Sequence, residues 1–260
     1  MPITLRTVGF VLALVALPAI ASAQINFEKT SYYVGMGDSV AAGEGAMPVT
    51  NGYVYRLYDQ GVFVKKQEMD FGNVALHGAR TWELLSQVAQ VLCVGSGPNI
   101  VTITAGANDF LGGDPNIPAI AGRVAAAVNL LLNNGTPAVP VPITDPVTPS
   151  APCPALSNVT ILVSNYYSVP HPVPAINAEL DAALNGFDQA LRIFLASVPV
   201  PAGSRIVYVD LYTPSLGRQG LVTIDRRLGY VGPYDFDIHP TNLGHAFIAR
   251  QFELAWKNAQ

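Results

Sequence analysis

The sequence predicts an α/β domain with a mainly parallel sheet covered by helices on both faces. Three observations predict it. Short β-branched or apolar runs alternate with segments of helical period, which is the rhythm of β-α-β units. The helical segments carry apolar stripes at steps of three and four. The run Val159-Thr-Ile-Leu-Val163 is almost continuously apolar, as expected of a strand buried on both sides. In chain order, strands are expected at Tyr32 to Val34, Asn73 to Leu76, Ile100 to Thr104, Val159 to Ser164 and Arg205 to Asp210. A helix from Trp82 to Leu92 places Leu85, Val88, Ala89 and Leu92 on one face, and Ile120, Val124, Val128 and Leu131 form a second stripe. The longest stripe runs through Ile176, Leu180, Leu184, Phe187, Leu191, Phe194 and Val198, and the last carries Leu243, Phe247, Phe252 and Trp256.

The chain has 260 residues, 50% of them hydrophobic and 12% charged, with a mean hydropathy of +0.32. Soluble domains average about 25% charged residues, so charge is scarce, and the composition excludes a disordered chain. Fourteen Lys and Arg against 18 Asp and Glu leave a net charge of −4 with no basic run, which argues against a nucleic-acid partner. Residues 1–23 have the form of an export signal: Arg6, an apolar core from Val8 to Leu17, and the small-residue site Ala21-Ser22-Ala23. That core is shorter than the roughly 20 residues a bilayer span needs. The expectation is a protein secreted or released to the periplasm, with one domain over residues 24–260 and no stable membrane span. Removal of the signal takes Arg6 with it and brings the net charge to −5. Cys93 and Cys153, 60 positions apart, either pair in an oxidising compartment or remain separate core thiols, and no Cys-x-x-Cys suggests a metal. Between Gly135 and Pro154 lie seven prolines, too many for a helix or a central strand. This stretch is either an inert surface connection or a cover over a site.

The chemistry-bearing residues lie at expected strand ends. The chain contains no Gly-x-Ser-x-Gly elbow, no Gly-x4-Gly-Lys-Ser/Thr loop, no His-Glu-x-x-His and no Gly-x-Gly-x-x-Gly, so nucleotide and zinc-protease readings lose their main support. The first strand runs into Gly37-Asp38-Ser39, and sites in open α/β sheets form at carboxyl ends of strands. Gly78 follows the second strand, and Asn108 follows the third within Ala105-Gly-Ala-Asn-Asp109. A glycine amide and an asparagine NH2 are hydrogen-bond donors, and with the Ser39 amide they suit an oxyanion hole. A serine needs a base to become a nucleophile. Of four histidines, His239 precedes the last helix in a Pro-containing stretch. His77 adjoins Gly78, His171 lies among prolines, and His245 falls in the helical stripe as a packing residue.

Gly37-Asp38-Ser39, Gly78, Gly106-Ala107-Asn108-Asp109 and His239-Pro240 occur in the order of the four blocks of the GDSL/SGNH hydrolases, and from Tyr32 to Trp256 the chain resembles the secreted bacterial esterases and lipases of that family. The resemblance implies a three-layer α/β/α sandwich with a flavodoxin-like five-stranded sheet and ester hydrolysis without metal or other cofactor. It also implies Ser39 as nucleophile, His239 as general base, and Ser39, Gly78 and Asn108 as the oxyanion hole. The family usually carries an Asp three residues before its histidine, where this chain has Phe236. Asp235 is the first choice to orient His239, Asp237 the second, and a backbone carbonyl the remaining alternative. The expected substrates are esters, of lipids or acetylated glycans. Phe110-Leu111 and Tyr166-Tyr167 suggest an apolar acyl pocket, against which stands plain core packing. An acyltransferase using the same residues and a non-catalytic exported binding protein are the rival functions.

Overall fold

Five parallel strands form the sheet: β1 Ser31–Gly37, β2 Met69–Asn73, β3 Ile100–Thr104, β4 Thr160–Ser164 and β5 Arg205–Val209, in the order β2-β1-β3-β4-β5. This is a computed structural model that describes residues 31–93, 98–133, 153–170, 174–222 and 238–260. The central strands β3 and β4 are buried along their whole length. The buried hydroxyls of Thr102, Thr104 and Ser164 are paired: Tyr33 Oη with Thr102 Oγ1 (2.9 Å), Tyr53 Oη with Thr104 Oγ1 (2.8 Å), and Thr104 Oγ1 with Ser164 Oγ (2.8 Å). Such pairing removes the cost of placing polar groups in an apolar sheet. On the edge strand β5, Val207 and Val209 are buried while Arg205 is exposed.

The helices are α1 Ser39–Ala42, α2 Tyr53–Asp59, α3 Leu84–Leu92, α4 Ala107–Leu111, α5 Ile117–Asn133, α6 Pro174–Ala196, α7 Tyr212–Ser215 and α8 Asn242–Asn258. Helix α5 packs against α3 and α6, and α2 packs against α8, giving a helical layer on each side of the sheet. The stripe Ile120, Val124, Val128 and Leu131 is buried as expected, because its regular apolar spacing has no polar interruption. In α6, Leu180, Phe187 and Leu191 are buried, and the helix ends before Val198. In α8, Phe247 and Phe252 enter the core while Leu243 is exposed.

Two expectations need correction. The second strand ends at Asn73 rather than beginning there. Val74 and Leu76 still donate from their amides to the carbonyls of Gly35 (2.9 Å) and Gly37 (3.1 Å). Asn73 Oδ1, however, accepts from the Ala75 amide (3.2 Å) and turns the chain out of strand geometry. The strand proper, Met69-Asp-Phe-Gly-Asn, has only Met69 and Phe71 as large apolar side chains, an alternation too short to reveal it. The second correction concerns α3, whose buried face is Leu84, Gln87, Val88 and Val91 rather than Leu85, Val88, Ala89 and Leu92. The buried face is turned by one position, which brings the Gln87 amide onto the backbone of Gly37 at the end of β1. Helix α2, seven residues long, is too short for an apolar stripe to announce it.

Cys93, at the end of α3, is bonded to Cys153, with their Cα atoms 5.2 Å apart, so the bridge ties α3 to the segment that leads into β4. The export signal, all of the Pro-rich stretch except Cys153 and Pro154, and His171, Asp235, Phe236 and Asp237 lie outside the described residues. Among the described residues no helix is long and apolar enough to cross a membrane.

Candidate active site

The strand order reverses between β1 and β3, and an open α/β sheet forms its crevice at that switch, outside the carboxyl ends of the strands. The turn after β1 therefore opens onto the crevice. Gly37 has φ +134°, and a Cβ there would stand 1.9 Å from the Thr104 carbonyl oxygen, so only glycine lets β1 pass so close to β3. Gln87 closes the local hydrogen bonding: the Gly37 amide donates to Oε1 (2.7 Å), and Nε2 donates to the Gly37 carbonyl (2.8 Å). Asp38 then donates from its amide to the Thr104 carbonyl (3.0 Å) and accepts at Oδ1 from the Val40 amide (3.0 Å), capping α1. Its other carboxyl oxygen accepts from the Tyr166 hydroxyl. Burial pushes the Asp38 carboxyl up to about 7, against the opposing pull of the Tyr166 and Val40 hydrogen bonds. Ser39 follows as the first residue of α1.

His239 reaches this turn from the opposite end of the chain. Its loop is held by the Tyr167 hydroxyl, which donates to the Ile238 carbonyl (2.9 Å), by a bridge between Val222 and Pro240, and by the Thr241 amide on the Leu221 carbonyl (2.9 Å). Thr241 Oγ1 accepts from the Gly244 amide (3.1 Å) and starts α8. The outcome is a buried contact of 2.8 Å between His239 Nε2 and Ser39 Oγ. With the ring proton on Nδ1, the serine hydroxyl donates to Nε2, the arrangement in which a histidine can accept the serine proton.

Gly78 and Asn108 lie together on the neighbouring edge of the crevice. Asn108 Nδ2 donates to the carbonyl of Ala79 (2.9 Å), next in chain to Gly78, which fixes the side-chain amide. Gly78 has φ +73° and open space where a Cβ would stand. Among the described residues, the amides of Ser39 and Gly78 have no backbone or side-chain acceptor, and the second Asn108 hydrogen is likewise without one. Asp109 braces this edge: it accepts from the Thr81 amide (2.8 Å), from Thr81 Oγ1 (2.7 Å) and from Arg123 Nη2 (3.0 Å).

The structure thus brings Ser39 to His239, and Asn108 to the Gly78 loop. It does not place Tyr166 and Tyr167 as pocket walls: both are buried, and their hydroxyls hold Asp38 and Ile238. His245 is a packing residue with both ring nitrogens used, accepting from the Tyr53 amide (3.2 Å) and donating to the Glu44 carbonyl (2.9 Å). Burial lowers it to about 4, so it stays neutral. Sequence reasoning missed Glu44, whose Oε2 lies 2.8 Å from His77 Nδ1 and 3.4 Å from His239 Nε2. Its only sequence signal is its place between Gly43 and Gly45, five positions after Ser39.

A doubly covered parallel sheet with a hydrogen-bonded serine and histidine at its switch point defines a class of α/β proteins with a Ser-His pair at the carboxyl ends of the strands. Residues 33–252 match the model of the GDSL-like Lipase/Acylhydrolase family, and the chain belongs to that family. No curated protein matches the chain. Among solved structures, a member of the lipolytic G-D-S-L family from Veillonella parvula DSM 2008 is 15% identical, over 85% of this chain and 95% of that one, with a TM-score of 0.55. A carbohydrate esterase family 3 protein from Talaromyces cellulolyticus is also 15% identical, over 88% and 97%, with a TM-score of 0.55. The psychrotrophic esterase EstA from Pseudoalteromonas sp. is 16% identical, over 88% and 97%, with a TM-score of 0.54. At such identities the likeness is one of fold.

Proposed function

We propose that the protein is an exported hydrolase of carboxyl esters, with Ser39 as nucleophile and His239 as general base. The observation that carries this reading is the 2.8 Å contact between Ser39 Oγ and His239 Nε2. In the first step Ser39 Oγ bonds to the ester carbonyl carbon as its proton passes to His239 Nε2. The negative charge on the former carbonyl oxygen is met by the amides of Ser39 and Gly78 and the Asn108 side chain. As the carbonyl re-forms, the bond to the alcohol breaks and the Nε2 proton goes to the leaving oxygen. Water then repeats the sequence on the acyl-enzyme. Positioned proton transfer contributes about 10²–10⁴-fold, and each oxyanion donor about 3 kcal/mol. Asp235 or Asp237, just ahead of His239 in the chain, is the proposed group that fixes its tautomer.

The sequence form of residues 1–23 supports export, and an exported esterase meets lipids or acetylated glycans rather than cytosolic thioesters. Phe110 and Leu111, half-buried in the same short helix as Asn108, supply apolar surface for the acyl chain. The test is a panel of esters from short to long acyl chains, run with wild type, Ser39→Ala and His239→Ala. Wild type is expected to turn over part of the panel. Ser39→Ala is expected to lose on the order of 10⁴-fold or more, and His239→Ala a similar amount, because the two act as one unit. Activity of Ser39→Ala near that of wild type would refute the assignment. Transfer of the acyl group to an added alcohol in preference to water would make the enzyme an acyltransferase on the same residues.

A further inference from the structure

Glu44 stands over the reacting pair in a frame that leaves its backbone little freedom. Its amide donates to the Ser39 carbonyl (2.9 Å), and its carbonyl accepts from Nε2 of the buried His245 (2.9 Å). His245 in turn accepts from the Tyr53 amide (3.2 Å), so α1, α2 and α8 all fix the position of this residue. The side chain is about 30% exposed, and Oε2 takes its shorter contact from His77 Nδ1, at 2.8 Å. An ionised carboxylate has no proton to donate, so His77 is the donor in that bond. The same oxygen lies 3.4 Å from His239 Nε2, on the side of the ring that faces Ser39.

We propose that Glu44 is a positioning residue for the ester-hydrolase reaction, whose carboxylate, anchored by His77, stabilises the imidazolium that His239 becomes when it takes the Ser39 proton. The inference rests on the ester-hydrolase reading above. Glu44 accepts no proton in any step. The proton moves from Ser39 Oγ to His239 Nε2 as the Oγ–C bond forms, and from Nε2 to the leaving oxygen as the C–O bond breaks. The carboxylate acts only on the state in which Nε2 carries that proton, where an opposite charge within about 4–6 Å favours the charged ring. The arrangement has a balance built into it. A direct short bond from Nε2 to Glu44 would tie up the proton that the leaving group needs. The separation of 3.4 Å, with His77 taking the shorter contact, leaves the attraction and frees the proton. Among the described residues, the titratable or charged groups facing His239 are Ser39, Glu44, His77 through Glu44, and His245, with Asp38 behind Ser39. Asp235 and Asp237 precede it in the chain.

The experiment measures kcat, KM and the pH profile of kcat/KM on a soluble short-chain ester for wild type, Glu44→Gln, Glu44→Asp and His77→Gln. Thermal unfolding of each is followed alongside. Glu44→Gln keeps the size and removes the charge. It is expected to lower kcat about tenfold with KM within about twofold, and to move the acid limb of the profile to lower pH by about one unit. The direction follows from the sign: without the carboxylate, His239 gives up its proton more easily. Glu44→Asp restores a charge and is expected to recover part of kcat and to keep the limb near that of wild type. His77→Gln, at an exposed position that does not disturb the core, is expected to lose less than Glu44→Gln. An active wild type whose acid limb and kcat are unmoved in Glu44→Gln overturns the proposal. So does an equal loss in Gln and Asp variants with no movement of the limb, which marks a merely structural role. A wild type without serine-dependent esterase activity overturns the ester-hydrolase reading, and this inference with it.

Discussion

Asp38 and Asp109 are both buried, at 1% and 0% exposure, and each is the immediate chain neighbour of a residue in the candidate site, Ser39 or Asn108. Their surroundings differ. Asp109 faces the guanidinium of Arg123 and two donors of Thr81, so its charge is matched where it lies. Asp38 receives the Val40 amide and the Tyr166 hydroxyl, and among the described residues no cation contacts it. Its carboxyl is pushed up to about 7 by burial, because two neutral donors do not offset the loss of water. The contrast separates two ways of bracing a crevice. On the Asn108 side an ion pair holds the segment at Thr81 that follows Gly78, whereas on the Ser39 side a carboxyl that can hold a proton caps the turn.

The largest effect is expected from breaking the matched side. Asp109→Asn leaves Arg123 without its inner partner and weakens the tie to Thr81. Stability is expected to fall by about 2 kcal/mol, less than for a fully buried pair because the Arg123 side chain is 34% exposed, and the shift in denaturant midpoint measures it. A loss below about 1 kcal/mol would mean that Arg123, which also contacts Asp114 Oδ2 at 2.8 Å, carries its charge equally well without Asp109.

An effect no larger, readable through its pH dependence, is expected on the other side. Asp38 is raised from an ordinary 3.8 to about 7, so between those values the native state holds a proton that the unfolded chain has released. The stability from this group is complete below about 4 and is lost as pH rises through about 7. Asp38→Asn lacks the titration. Relative to that variant, wild type is therefore expected to lose roughly 2 kcal/mol between pH 5 and pH 8. Parallel stability curves for the two proteins would remove the distinction between the aspartates.

The same contrast explains what the sequence makes legible. Strands β3 and β4 and helix α5 announce themselves, since their burial is achieved by apolar side chains at regular spacing. Ser39, Gly78, Asn108 and His239 stand in short motifs at the ends of elements, so their order along the chain is informative before any fold is known. Polar contacts across long separations leave no such trace. Gln87 looks like an interruption of the α3 stripe until its amide is seen on Gly37, 50 positions earlier. Tyr166 looks like pocket lining until its hydroxyl is seen on Asp38, 128 positions away. Glu44 has no pattern of its own, and its meeting with His239 requires the first and last thirds of the domain to close on each other. The disulfide belongs with these cases: spacing alone allows Cys93 and Cys153 to be paired or separate, and the fold brings their Cα atoms within 5.2 Å.

The most direct measurement of the central claim is labelling with a serine-directed phosphonate, followed by mass analysis of the peptide that contains Ser39, with residual ester hydrolysis assayed in parallel. One equivalent is expected to bind at Ser39, with loss of activity in proportion to labelling and no label on the Ser39→Ala protein. Full ester turnover after complete labelling, or labelling of Ser39→Ala to the same extent as wild type, would contradict that claim.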